Sequence, residues 1–286
     1  MNITDVDDKI IRKAMTDDID FTVISRKYEA EFLDDLKGLN VRQPTVITRV
    51  SEYMPEIVQY IEQIIANGYA YEANGSVYFD VETFDAHPDH RYNKLERGAA
   101  NDSERRAEGE GVLANENAET EKRGTKDFAL WKKTKPGEPK WDSPWGEGRP
   151  GWHIECSAMC GTILPNPPID IHTGGSDLKF PHHDNELAQS EAYYESDNWV
   201  NYFWHTGRLN IEGLKMSKSL KNFITIGDIL DNYNPRQVRM MFLLANWHGV
   251  MNYSDDTWAE AIAKEKQFSE FFLTVKATLR GIDIKD

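Results

Sequence analysis

The chain has 286 residues, length enough for two domains that each bury an ordinary core. Hydrophobic residues at 40% and charged residues at 28% fit a globular protein in water, and no apolar run approaches the roughly 20 residues that span a bilayer. A net charge of −15 argues against a nonspecific nucleic-acid coat, which needs a basic footprint, but a local basic patch can still act inside an acidic protein. Two cysteines in this length exclude a disulfide framework. Cys156 and Cys160, four apart and so on one helical face, fit reduced thiols of an intracellular protein or a single metal ligand better than a bridge. No secretory or transit segment is visible at Met1.

Asn2-Ile3 followed by Thr4, Asp5, Asp7 and Asp8 predicts a strand end running into a capped helix that carries Ile10, Ile11 and Ala14. Tyr28, Phe32, Leu33 and Leu36 predict the apolar side of a second helix, which Gly38 ends. A third runs near Val50 to Asn67, with Ile57, Tyr60, Ile61, Ile64 and Ile65 facing inward. Alternation around the turn Asn74-Gly75 makes Tyr69 to Val81 a hairpin. From Arg97 to Gly124 apolar residues nearly vanish. Such a stretch buries too little surface to offset its ordering entropy, and it reads as a disordered insertion that chemistry can do without; a solvated charged helix is the alternative.

Ordered sequence resumes at Phe128-Ala129-Leu130-Trp131, and a Gly/Pro/Trp-rich stretch leads to Gly151. A helix from Trp152 follows, then a short buried strand Ile169 to His172, the turn Thr173-Gly174-Gly175-Ser176 and a helix beginning near Pro181. Tyr202 to His205 is another strand, and helices dominate from Asp228 onward. Strand, glycine turn and helix in succession predict a parallel α/β sheet, whose ligands lie at the carboxyl ends of the strands.

Lys215-Met216-Ser217-Lys218-Ser219 carries the sharpest chemical signal. Two lysines three apart in a small-residue loop can bring positive charge to phosphate oxygens while hydroxyls assist, as adenylyl transfer requires. A lone lysine pair would more simply be a solvated loop. These five residues, followed by Leu220-Lys221-Asn222, resemble the signature loop of class I aminoacyl-tRNA synthetases, which binds ATP and closes over the pyrophosphate.

His182 and Glu186 are spaced i, i+4, which puts both on one side of a helix, and Cys156 could add a thiolate from another element. Alone, such a pair is commonly an exposed helix contact. In context, Gly151-Trp152-His153-Ile154-Glu155-Cys156-Ser157-Ala158-Met159 and Gly174 through Glu186 resemble the zinc-site segments of cysteinyl-tRNA synthetases. The opening Asn2-Ile3-Thr4-Asp5-Val6-Asp7-Asp8-Lys9 looks like a third segment of that family, and the resemblance covers most of the chain outside 97–124.

The resemblance implies a class I synthetase α/β fold: a Rossmann-like parallel sheet with a connective insertion and a C-terminal helical region. It divides the chain into 1–68 and 151–212 as halves of the catalytic domain, 69–150 as the insertion, and 213–286 as lysine loop and helical region. It implies zinc held by Cys156, His182 and Glu186 together with one further cysteine, lying upstream of this chain. Lys215 and Lys218 would be catalytic, and Lys215, Ser217, Lys218, Ser219, Gly175 and Asp177 would bind ATP, with Mg2+ accompanying it. Thr4, Trp152 and Asp177 would contact the substrate. Turn capping for Asp177 and plain core packing for Trp152 remain open, as do adenylate contact or a core position for His172 and His205. His183 reads as pointing away from the side shared by His182 and Glu186, and Cys160 as structural. The implied activity is ATP-dependent activation of L-cysteine and its transfer to tRNA(Cys), without a membrane and in the cytoplasm unless an organellar form exists. A His-Ile-Gly-His type motif is absent, so the chain is expected to be cut at both ends and inactive alone. A ligase placing cysteine on an amino-sugar, or a non-catalytic zinc and nucleotide module, are the rivals.

Overall fold

β1 (Asn2–Ile3) pairs in parallel with β2 (Thr48–Arg49) in the computed structural model, which describes residues 1–113, 118–216 and 221–282. Asp7, extended and with its carboxylate accepting from the Lys9 N–H, caps α1 (Asp8–Asp17), so the cap falls on an aspartate rather than on Thr4. In α2 (Phe21–Gly38) the buried residues are Ile24, Ser25 and Glu29, while Tyr28 and Phe32 are 47% and 40% exposed. While Leu33 and Leu36 are half-buried, part of the predicted apolar side is therefore turned outward. Its place is taken by an ion pair: the Arg49 Nε donates to Glu29 Oε1 at 2.8 Å, and Arg26 reaches the other oxygen at 3.0 Å. A 3-10 turn at Val50–Glu52 precedes α3 (Met54–Ala66), which buries Ile57, Tyr60, Ile61 and Ile64 as its periodicity predicts.

β3 (Ala70–Ala73) and β4 (Ser76–Phe79) form the predicted hairpin, with Asn74 and Gly75 both at positive φ. After α4 (Val81–Ala86), the stretch predicted to be disordered carries a 3-10 turn at Ala99–Asn101, α5 (Ser103–Glu110) and α6 (Ala118–Glu121). Asp102 caps α5 by accepting from the Glu104 and Arg105 N–H groups. Order here rests on polar contacts, which a count of apolar residues does not register. β5 (Phe128–Lys133) and β6 (Gly148–Pro150) complete an antiparallel sheet of order β3-β4-β5-β6.

α7 (Trp152–Ile163) leads to β7 (Ile169–Gly175), a π-type turn at Lys179–His183, α8 (Asp184–Tyr194) and β8 (Val200–Thr206), which pairs with β7. β7 is not the buried strand its sequence predicts: Ile171 is 54% exposed, in a sheet of two strands among the described residues, β7 and β8. Apart from α2 beyond Ala30 and Thr206 at the end of β8, these elements belong to one compact unit, Met1–Ala30 with Pro44–His205. Its core gathers Ile57, Ile61 and Ile64 of α3, Phe79, Leu130 and Trp131 of the sheet, and Ile154 and Met159 of α7.

The other unit, Glu31–Gln43 with Thr206–Asp286, contains β9 (Leu209–Ile211), β10 (Leu214–Lys215) antiparallel to it and β11 (Met251–Tyr253) parallel to it. Capping boxes at Thr225/Asp228 and Asn234/Gln237 start α9 (Ile226–Leu230) and α10 (Pro235–Leu244), and α11 (Asp255–Ile282) follows. Val238, Met241, Trp258 and Ala261 form its core, with Tyr233 stacked 3.6 Å from Trp258. The chain is thus mixed α/β. Parallel pairing occurs at β1·β2 and β9·β11, while the largest sheet among the described residues is antiparallel.

Candidate metal centre

Cys156 lies one turn into α7, His182 in the π-type turn and Glu186 in the first turn of α8, and all three are buried. One ligand atom from each falls within 4.8 Å of the others. His182 Nε2 stands 2.9 Å from Glu186 Oε1, and His172 Nε2 stands 3.1 Å from Glu186 Oε2. Despite these distances neither carboxylate oxygen has an aligned hydrogen-bond partner among the described residues. Lone pairs that crowd together without bonding one another suit a shared cation, and the sulfur, nitrogen and oxygen donors suit zinc.

Electrostatics agrees. Burial would raise the Glu186 carboxyl, but the His172 and His182 imidazoles outweigh it and hold it well below its ordinary range. Burial, and then the Glu186 charge, push the Cys156 thiol well up, so a thiolate at this position needs a positive partner. The Asn2 side chain tempers the rise. His182 Nδ1 is 3.0 Å from His153 Nδ1, which leaves Nε2 directed toward Glu186. The Trp152 ring stacks on His182 with centroids 4.3 Å apart.

His172, His183 and Glu186 form a second converging triad that shares the carboxylate. His183 is therefore not turned away as predicted: its Nε2 is 4.0 Å from Glu186 Oε1, and its Nδ1 is 2.8 Å from His205 Nε2. The extended backbone of Phe180 breaks regular helical rotation just before the two histidines, so ideal helical spacing misplaces them. Burial pushes the His183 imidazole down to about 3. Gly174 lets β7 pass close to this ring, since a Cβ there would stand 2.6 Å from His183 Cε1.

Trp152 thus joins the three metal-ligand candidates directly. Thr4 is half-buried two residues beyond Asn2, and Asp177 is exposed, its carboxylate curled over Gly175, where an added Cβ would meet Oδ1 at 2.4 Å. Lys215 is exposed on β10 in the other compact unit, and Ser217, Lys218 and Ser219 lie outside the described residues. Sequence reasoning overlooks Asn2, whose signal is its place two residues before Thr4, and the His172–His183 pair, signalled by two histidines flanking a Gly-Gly turn.

A family model for tRNA synthetases class I (C), catalytic domain, matches residues 1–263. The cytoplasmic cysteine–tRNA ligase of Dictyostelium discoideum is 58% identical over 280 residues, covering 98% of this chain and 42% of that protein. The Homo sapiens cytoplasmic cysteine–tRNA ligase is 54% identical over 272 residues, covering 94% of this chain and 36% of that protein. The chain therefore spans well under half the length of these relatives. A solved Mycobacterium tuberculosis methionyl-tRNA synthetase in complex with methionyl-adenylate superposes with a TM-score of 0.62 at 15% identity, covering 89% of this chain and 58% of that one, which is a likeness of fold. On the match over residues 1–263 and these identities, the chain belongs to the class I (C) tRNA synthetase catalytic-domain family.

Proposed function

We propose that this chain is the catalytic core of a cysteine–tRNA ligase, which activates L-cysteine with ATP and passes it to tRNA(Cys). The observation that carries the reading is the buried convergence of Cys156, His182 and Glu186 in a chain whose relatives bear that name. In the first step the cysteine carboxylate attacks the α-phosphorus of ATP, forming cysteinyl-adenylate and releasing pyrophosphate. A carboxylate is already ionised at neutral pH, so no strong general base is required and positioning supplies most of the catalysis. Zinc held by Cys156, His182 and Glu186 would offer the soft substrate sulfur a bond that the harder hydroxyl of serine cannot match. Trp152 holds the His182 ring by stacking and walls the site. Thr4 and Asp177 would bind substrate, with Asp177 at the β7 end accepting from the ribose or the amine. Gly175, Lys215, Ser217, Lys218 and Ser219 would serve ATP, Mg2+ and the departing pyrophosphate.

On this reading 69–150 is an insertion between catalytic halves 1–68 and 151–212, with the lysine loop and helices in 213–286. Cytoplasmic relatives support a cytoplasmic site of action. Among the described residues no helix is long and apolar enough to cross a membrane. Neither an amino-sugar ligase nor a non-catalytic module finds support among the relatives reported above. Pyrophosphate exchange by the protein that carries this chain should depend on cysteine and ignore serine, and Lys218→Ala should lower it roughly 10²–10³-fold while leaving metal content unchanged. Equal exchange with serine, or acylation of an amino-sugar in place of a tRNA(Cys) transcript, would overturn the reading.

A further inference from the structure

α5 has eight residues, too few to hold a helix in water unaided, and its sequence Ser-Glu-Arg-Arg-Ala-Glu-Gly-Glu offers almost no apolar side. What holds it is a set of polar and backbone contacts on either side of the candidate metal centre. Gly109 is buried against the turn that carries His182. A Cβ added there would stand 2.8 Å from Pro181 Cγ and 2.9 Å from His153 Nε2, so only glycine allows this approach. Arg105 donates to the Phe180 carbonyl at 2.9 Å and lies over the Phe180 ring at 5.3 Å, two residues before His182. His153 in turn contacts His182 through the two Nδ1 atoms.

The carboxyl end of α5 is tied to the catalytic half. Lys132, buried on β5, donates from Nζ to the Glu110 carbonyl at 2.6 Å, and Asp8 Oδ2 accepts from the Leu113 N–H at 2.8 Å. Asp8 Oδ1 also pairs with buried Arg149 at 2.8 Å, three residues before Trp152. Buried charges are costly unless paired and hydrogen-bonded, so removing α5 would strand Lys132 and half of the Asp8 carboxylate. Gly109, Lys132, Arg149, Trp152 and Glu155 help line a cavity of about 220 Å³ between these anchors.

We propose that α5 is a clamp that sets the position of His182 and Trp152, with Gly109 and Arg105 as positioning residues. Its bearing on metal affinity rests on the metal site proposed above; its hold on the turn at 179–183 does not. Two measurements on the 286-residue chain test it: amide hydrogen exchange over 180–186 without metal, and Co2+ affinity by chelator competition. Gly109→Ala should speed that exchange about tenfold and weaken Co2+ binding roughly 10–100-fold, the range seen when supports of metal ligands are lost. Arg105→Ala should shift both in the same direction by less. Glu96→Gln, which weakens the 2.6 Å Arg105–Glu96 pair but spares the Phe180 carbonyl contact, should shift neither. Unchanged exchange in both Gly109→Ala and Arg105→Ala, or an equal response to Glu96→Gln, would overturn the clamp. If the unmodified chain takes up no Co2+ yet exchange responds as expected, the clamp stands and the metal reading falls.

Discussion

Glu191 illustrates how one side chain sets a pH response. Its side chain is 2% exposed, with Lys94 Nζ 2.6 Å from Oε1 and with Oε2 unpaired among the described residues 3.7 Å from His90 Nδ1. Burial outweighs Lys94 and raises the carboxyl to about 7. A carboxyl raised on folding favours the protonated native state, so its stabilisation is full below the unfolded value near 4.5 and is lost as pH rises to about 7. The whole effect is on the order of 3 kcal/mol. Glu191→Gln should flatten the decline of stability between those pH values, measured as denaturant midpoints at several pH values. At the centre itself, Cys156→Ser keeps the shape but exchanges a soft donor for a hard one. It should weaken Co2+ or Zn2+ binding by roughly a hundredfold or more in chelator competition.

At the scale of elements, α3 and α2 form an instructive pair. Both have apolar periodicity, yet α3 turns it inward and α2 turns part of it out, with Glu29 of α2 buried instead against Arg49 beyond the helix. Ile61→Ala, at a position with no exposure, should cost about 2–5 kcal/mol in urea unfolding. Phe32→Ala should cost about 1 kcal/mol or less, although the pattern alone ranks the two residues together. α5 shows the opposite failure: an element without an apolar pattern is ordered by capping at Asp102 and by anchors on Lys132 and Asp8. Period-based reading responds to apolar burial and is blind to order supplied by buried charges.

Across the whole molecule, each of the two compact units has a hydrophobic core of its own among the described residues. The core around Ile57, Ile61, Leu130 and Trp131 is extensive, whereas that of Val238, Met241, Trp258 and Ala261 is small. Separate cores favour separate unfolding transitions. Scanning calorimetry should resolve a lower transition, which Trp258→Ala shifts down or abolishes while leaving the upper one in place. A single transition displaced as a whole by Trp258→Ala would show that the units unfold as one.

The sequence by itself determined the chemistry-bearing segments, the hairpin at Asn74-Gly75, the inward side of α3 and the resemblance that led to the family, because each depends on local residue type and spacing. Cys156, His182 and Glu186 were legible as a group only through that resemblance, since 26 and 4 residues separate successive members. Tertiary structure decided the rest. It brought His172 and His183 onto the Glu186 carboxylate, set Asn2 against the Cys156 sulfur and gave the polar stretch at 103–113 its place against Pro181 and His153. The physical reasons differ: Asn2, His172 and Gly109 meet partners far along the chain, which leaves no period in the sequence, whereas His183 and Glu186, three residues apart, are brought together by the break in helical rotation at Phe180.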